Sequence, residues 1–285
     1  MSSPINAISV LHLTHWGRAA EAALTQHTQA QVFAAFQRSA YLETNDGLCC
    51  VGTNTLGEGP LNAWCQSMPP LTVGQTVQLN QVHTQRWPIA PWPAFAHPYF
   101  SHTLSALQQT AHAHLPNDGF GRWIEDPIHW RVPQALHMAQ VACDTLQQWL
   151  SQPNVALHSI HALLGLGPGL TPSGDDLIGG VLCALHAVGD TQRANHLAQH
   201  VLPLAETRTN RISRAHLACA AQGECSADLR SLLCALLQAR TDFAARLAAV
   251  DQIGHTSGWD TLAGMVLVLH HYAQQRQGAV QSQQT

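Results

Sequence analysis

One short pattern occurs twice in this chain and limits what it can fold into. Ser173-Gly174-Asp175-Asp176-Leu177-Ile178-Gly179-Gly180-Val181 matches Ser257-Gly258-Trp259-Asp260-Thr261-Leu262-Ala263-Gly264-Met265, with Ser, Gly, Asp and a later Gly in register. Glycine precedes each copy, in Gly165-Leu166-Gly167-Pro168-Gly169-Leu170-Thr171-Pro172 and in Gly254-His255-Thr256. Each copy then runs into a helix that is apolar nearly all round. Such helices belong in the centre of a protein. Gly179, Gly180 and Gly264 would let neighbouring helices approach closely, at a cost in helix propensity.

The surrounding pattern predicts an α+β protein: a small N-terminal β-rich barrel or sandwich over 1–98, then a mostly helical domain over 99–285. In the first part, Asp46-Gly47 opens the strand candidate 48–51, residues 72–79 alternate as a second strand, and Gly57-Glu58-Gly59-Pro60 is a turn. Residues 18–38 fit either more of this β pattern or one amphipathic helix. Pro88, Pro91, Pro93 and Pro98 forbid a continuing helix or central strand. They mark either a domain junction or an ordered surface loop. Beyond residue 103 the apolar spacing is helical, as in Leu136, Ala139, Cys143, Leu146 and Leu150. Further helices fit 177–188, 192–204, 210–222, 228–239, 241–251 and 260–275, and the Gln-rich tail from Gln274 should fray.

The repeated motif has a structural and a functional reading. As a capping box, Ser173 and Ser257 accept backbone N–H groups while Asp176 and Asp260 reach back. Capping leaves the second carboxylate, Asp175, without a purpose. In the functional reading, Gly167, Gly169, Thr171, Ser173, Gly174, Ser257 and Gly258 line two helix starts whose N–H groups suit an anion. The carboxylates would repel a bare phosphate, so balance needs a cation. Either Asp175, Asp176 and Asp260 hold Mg²⁺ through oxygen ligands, or an arginine pairs with them and forks onto the substrate. Arg208, Arg211 and Arg214 recur at helical spacing and form a candidate anion-facing strip. The alternative is a solvated basic face. Asp175, Asp176 and Asp260 are the candidate catalytic carboxylates, and His255 is a candidate proton carrier. His112 with His114 and His270 with His271 lack a third metal ligand nearby, and Trp123 and Trp259 read as packing.

Composition removes several chemistries. All 13 basic residues are arginine, which excludes a Schiff-base lysine and a P-loop lysine. The net charge of −4 gives no attraction to nucleic acid or acidic membranes. None of the 8 cysteines forms a Cys-x-x-Cys pair, which argues against a zinc knuckle. Met1 to Leu13 has no positively charged start or long apolar stretch, and the longest apolar run, 177–188, is too short for a bilayer. A cytoplasmic protein without a membrane partner is expected. Charged residues are only 11%, so a homo-oligomer would be natural. Ser173 lacks the Gly-x-Ser-x-Gly elbow of a serine hydrolase.

The run from Gly165 to Asp176 resembles the signature of the AllH family. So do Ile212-Ser213-Arg214 with His216, and Gly254-His255-Thr256-Ser257-Gly258-Trp259-Asp260-Thr261-Leu262-Ala263-Gly264. Gly57-Glu58-Gly59-Pro60-Leu61-Asn62 fits the family's N-terminal half. The resemblance implies a subunit of oxamate carbamoyltransferase, acting with other subunits on oxalurate and phosphate to give oxamate and carbamoyl phosphate. It transfers no catalytic residues. Two other readings stay open: a Mg²⁺-dependent hydrolase with aspartates at helix starts, analogous to ADP-ribosylglycohydrolases, and a non-catalytic assembly subunit.

Overall fold

The structure, a computed structural model, describes residues 9–282 apart from 128, 130 and 133; the side chains of 97, 134, 135 and 276–282 also lie outside the description. The chain divides into two compact units, Met1–Ala90 and Pro91–Thr285. The division falls inside the proline-rich segment.

The first unit is a β-barrel with one small helix. Its elements are β1 (Val10–Trp16), α1 (Arg18–Leu24), β2 (Gln29–Ala35), β3 (Ser39–Thr44), β4 (Gly47–Gly52), β5 (Asn62–Cys65), β6 (Thr76–Asn80) and β7 (Gln85–Arg86). The strand order is β5-β4-β3-β2-β6-β1-β7, and β5 also pairs with β1. That pairing closes six strands and leaves β7 as an addition on β1. Closure protects backbone donors and acceptors that an open sheet would expose. Alternating side chains fill the interior, among them Leu11, Leu13, Val32, Leu42, Val51, Val77 and Leu79.

Two sequence expectations change here. The stretch 18–38 is not one helix: α1 ends at Leu24, and residues 29–35 pair as a strand with β3 and β6. The strand expected over 72–79 begins only at Thr76. Thr72 to Gln75 is a turn, with Gln75 N–H donating to Thr72 O at 3.0 Å and Gly74 at φ +84°.

The second unit is helical: α2 (Phe100–Ala111), α3 (Gln140–Ser151), α4 (Ser173–Ala187), α5 (Thr191–Arg208), α6 (Arg211–Ala220), α7 (Ala227–Leu237), α8 (Ala244–Val250) and α9 (Ser257–Ser282). The fold is thus mixed α+β, with a barrel followed by a helical region, as the sequence predicts. No helix among the described residues is long and apolar enough to cross a membrane. The expected fraying from Gln274 does not appear in the backbone, which stays helical to Ser282. Gln, Arg and Ala extend a nucleated helix at little cost. Residues 283–285 lie outside the described residues.

At the centre of this unit α4 and α9 pack against each other, their Leu182, Trp259 and Leu262 sharing one core with Phe120 and Trp149. Their contact is reciprocal. A Cβ on Gly180 would sit 1.9 Å from Thr261 O, and one on Gly264 would sit 2.1 Å from Leu177 O. Each glycine of the repeat therefore seats the backbone of the other helix. Gly179, next to Gly180, has only the Ala220 side chain near its virtual Cβ, at 3.7 Å.

This contrast yields a paired prediction. Gly180→Ala should lower the unfolding free energy by at least ~3 kcal/mol, because a methyl group cannot share space with a helix carbonyl. Gly179→Ala should leave stability unchanged or raise it by up to ~1 kcal/mol through helix propensity. Denaturant unfolding of both variants checks the pair.

Candidate functional site

The two motif copies use the same local construction. Gly174 N–H donates to Leu166 O at 2.9 Å, and Gly258 N–H donates to Ile253 O at 3.0 Å. A Cβ at Gly174 would lie 2.0 Å from Leu163 O, and one at Gly258 would lie 2.2 Å from Val250 O. In both copies the preceding turn is pressed onto the first turn of the helix, which only glycine allows.

The helix starts meet. Thr171 Oγ1 and Ser257 Oγ are hydrogen-bonded at 2.7 Å, and Ser173 Oγ lies 3.4 Å from Thr256 Oγ1. This corrects the capping-box expectation. Ser173 is already helical, Pro172 occupies the cap position, and no side chain caps α4. The Pro172 carbonyl accepts the Asp175 and Asp176 N–H groups at 2.9 and 3.1 Å, and the Thr256 carbonyl accepts that of Asp260 at 2.8 Å. The serine hydroxyls instead face across the junction between the helices.

The three aspartates divide into one clamp and one pair. Asp175 Oδ2 accepts the hydroxyls of Ser213, at 2.7 Å, and of Thr209, while Oδ1 accepts the Gly165 N–H at 2.9 Å. It ties the glycine-rich loop to the end of α5 and the start of α6. Burial raises its pKa, and these three donors oppose the rise. Capping leaves this carboxylate unexplained, and cross-linking three segments accounts for it.

Asp176 and Asp260 are equivalent in the repeat, and each lies near the motif serine of the other helix. Burial pushes Asp176 well above the ordinary carboxyl range; the Ser257 and Thr171 hydroxyls oppose this, and the Asp260 and Asp175 charges add to it. Burial raises Asp260 to about 6, opposed by the Phe120 N–H, the Thr256 and Ser173 hydroxyls and the charge of His255. Asp260 is fully buried, and its Oδ1 accepts the Phe120 N–H. Asp176 Oδ2 and Asp260 Oδ2 are sealed from solvent without a hydrogen-bond partner.

The expected Mg²⁺ trio is not gathered. Asp175 turns its oxygens toward Thr209, Ser213 and Gly165, away from a ligand set shared with Asp176 and Asp260. Among the described residues no group of three or more His, Cys, Asp or Glu is arranged to hold a metal.

The other predicted residues lie around this pair. Gly167, at φ +115°, presses on Ser173: a Cβ there would be 2.8 Å from Ser173 N. Gly169 is exposed and Thr171 is half-buried. The amides of Gly167, Gly169 and Thr171 have no protein acceptor among the described residues. His255 is exposed at the rim, with Nε2 3.9 Å from Asp118 Oδ2. Arg208 and Arg211 are exposed and Arg214 is half-buried. Arg208 and Arg214 form no ion pair among the described residues, so the arginine clamp on the carboxylates is not seen. Thr209 and Ser213, interleaved with these arginines, hold Asp175 instead.

Sequence reasoning missed the segment covering Asp260. Gly119, at φ +74°, lies so close that a Cβ would fall 2.3 Å from Asp260 Oδ1. Its sequence signal is the turn-forming run Asn117-Asp118-Gly119, which by itself does not reveal that it packs on a helix start more than a hundred residues away.

Comparison with known proteins bears on this same region. Residues 163–269 match the AllH family model. The family's description is oxamate carbamoyltransferase subunit AllH. The matched AllH segment contains both motif copies, the Asp175 clamp and all of α4 to α8, and ends within α9. No solved structure matches the chain.

Two predictions concern the carboxyls. Asp175→Ala removes three hydrogen bonds to a buried group and should cost roughly 3 kcal/mol of stability in urea unfolding. For Asp260, the folded state holds a proton more tightly than the unfolded chain. Its contribution is therefore present below pH 4 and disappears as pH rises through about 6. The stability difference between the natural chain and Asp260→Asn should change by ~3 kcal/mol across that window, as measured by unfolding at stepped pH.

Proposed function

We propose that this chain is a subunit of an oxamate carbamoyltransferase and that the junction of α4 and α9 binds its small acid substrate or product. The observation that carries this reading is the meeting of both motif copies, Thr171 Oγ1 to Ser257 Oγ at 2.7 Å, inside the AllH-matching segment. The reaction converts oxalurate and phosphate into oxamate and carbamoyl phosphate. All four are anions at neutral pH, and partner subunits supply the rest of the catalytic assembly.

The site's chemistry suits such ligands. The amides of Gly167, Gly169 and Thr171 offer N–H groups to a carboxylate or phosphate at the start of α4. Repulsion of an anion there is reduced because burial pushes Asp176 well above the ordinary carboxyl range. Arg208, Arg211 and Arg214 stand at the end of α5 and the first turn of α6, where they raise the local concentration of anions without ligating the aspartates. His255 at the rim is positioned to exchange protons with an incoming acid.

The test is reconstitution with the partner subunits of the native host. The chain should co-purify with them, and oxalurate plus phosphate should yield carbamoyl phosphate only when it is present. Asp176→Ala should reduce the rate at least ~100-fold, a loss typical of a group acting directly on the reacting molecule, while leaving the complex assembled. Full activity from the partners without this chain would overturn the proposal.

A further inference from the structure

We propose that Asp176 and Asp260 are specificity-determining residues that accept the N–H groups of an amide or ureido ligand, so that the site distinguishes an amide end from a carboxylate end. This rests on the small-acid reading of the site and adds to it which end of the molecule meets which protein groups.

Two buried oxygens carry the argument. Asp176 Oδ2 and Asp260 Oδ2 are both sealed from solvent, and neither has a hydrogen-bond partner. An unsatisfied buried polar atom is rare in a native protein and costs on the order of 1–3 kcal/mol. Here two occur at equivalent positions of a duplicated motif, and the Asp260 charge acts on Asp176, so a single local packing fault does not explain them.

The Ser257 and Thr171 hydroxyls act on Asp176, and the Thr256 and Ser173 hydroxyls on Asp260, yet neither Oδ2 is reached. The Phe120 N–H goes to Asp260 Oδ1. Thr171 and Ser257 bond each other. Thr209, Ser213 and the Gly165 N–H all serve Asp175. Arg208 and Arg214 pair with no acid among the described residues, and exposed His255 stands nearest Asp118. A metal ion would ask for a larger ligand set than these residues assemble. What the two oxygens lack is a donor, and a carbamoyl or ureido N–H is one. A ligand made only of ionised carboxylate groups brings no such donor.

Gly119 lies against Asp260 so closely that even a methyl group there would collide with its carboxyl. The acceptor-poor amides of Gly167, Gly169 and Thr171 lie on the approach to α4, where they fit the opposite, anionic end of the ligand. One molecule carrying both an N–H end and a carboxylate end satisfies both halves.

The experiment compares oxamate with oxalate, which has nearly the same shape but lacks N–H groups, by calorimetric titration of the full chain in its assembled complex at pH 7.5. The natural chain should bind oxamate at least tenfold more tightly than oxalate. In Asp176→Asn and Asp260→Asn, whose amides bring donors of their own, the preference should fall below threefold or reverse. Equal binding of both ligands by the natural chain would overturn the inference and leave the small-acid site standing, and this comparison needs no variant to fold. An unchanged preference in both folded variants would also overturn it. Binding of neither ligand would overturn the small-acid reading together with this one.

Discussion

The helical unit depends on two helices lying backbone to backbone. Gly180 and Gly264 each receive a carbonyl of the opposite helix, and no larger residue fits in either place. This contact sets the spacing of α4 and α9, which in turn brings their first turns together. Only then can Ser257 reach Thr171, Ser173 approach Thr256, and each motif aspartate lie by the serine of the other helix. The glycines are poor helix formers, yet they sit where helix propensity matters least and closeness most.

Around that contact, polar residues take different tasks according to what surrounds them. Asp175 and Asp176 are neighbours in sequence and point into opposite chemistry. Asp175 meets three donors and becomes a structural tie between the loop, α5 and α6. Asp176 meets another carboxyl, and burial outweighs the Ser257 and Thr171 hydroxyls in setting its ionisation. The AllH-matching segment contains both the tie and the buried pair, and the tie holds the glycine-rich loop against α5 and α6.

Much of this was legible in the sequence because it is periodic or punctuated. Apolar spacing located α4 to α8 and the start of α9 to within about four residues, and the repeat pointed to a shared junction. Turn chemistry located the opening of β4 and, two residues early, the turn over Gly59–Asn62. Other features were not legible because they depend on contacts between distant residues. Whether 18–38 would be helix or strand was decided by pairing of Gln29–Ala35 with β3 and β6, against a locally acceptable helical pattern. The serines had every local mark of caps, yet Pro172 and Thr256 carbonyls served that purpose and freed the hydroxyls. The arginine strip had the right spacing for a clamp, but Thr209 and Ser213 had the shorter reach to Asp175. Gly119 carried no sign of the residue it covers.

The duplicated motif does not give two identical environments. The loop through Gly119 and Phe120 covers Asp260 completely, while Asp176, its Oδ2 sealed, is otherwise only partly buried. A near-twofold arrangement closed on one flank and open on the other has a direction. Under the proposed small-acid reading, a two-ended molecule entering such a junction would meet equivalent side chains in sequence, and the order in which it met them would fix which end lay deepest. The asymmetric cover would thus orient such a ligand between two walls that came from one pattern.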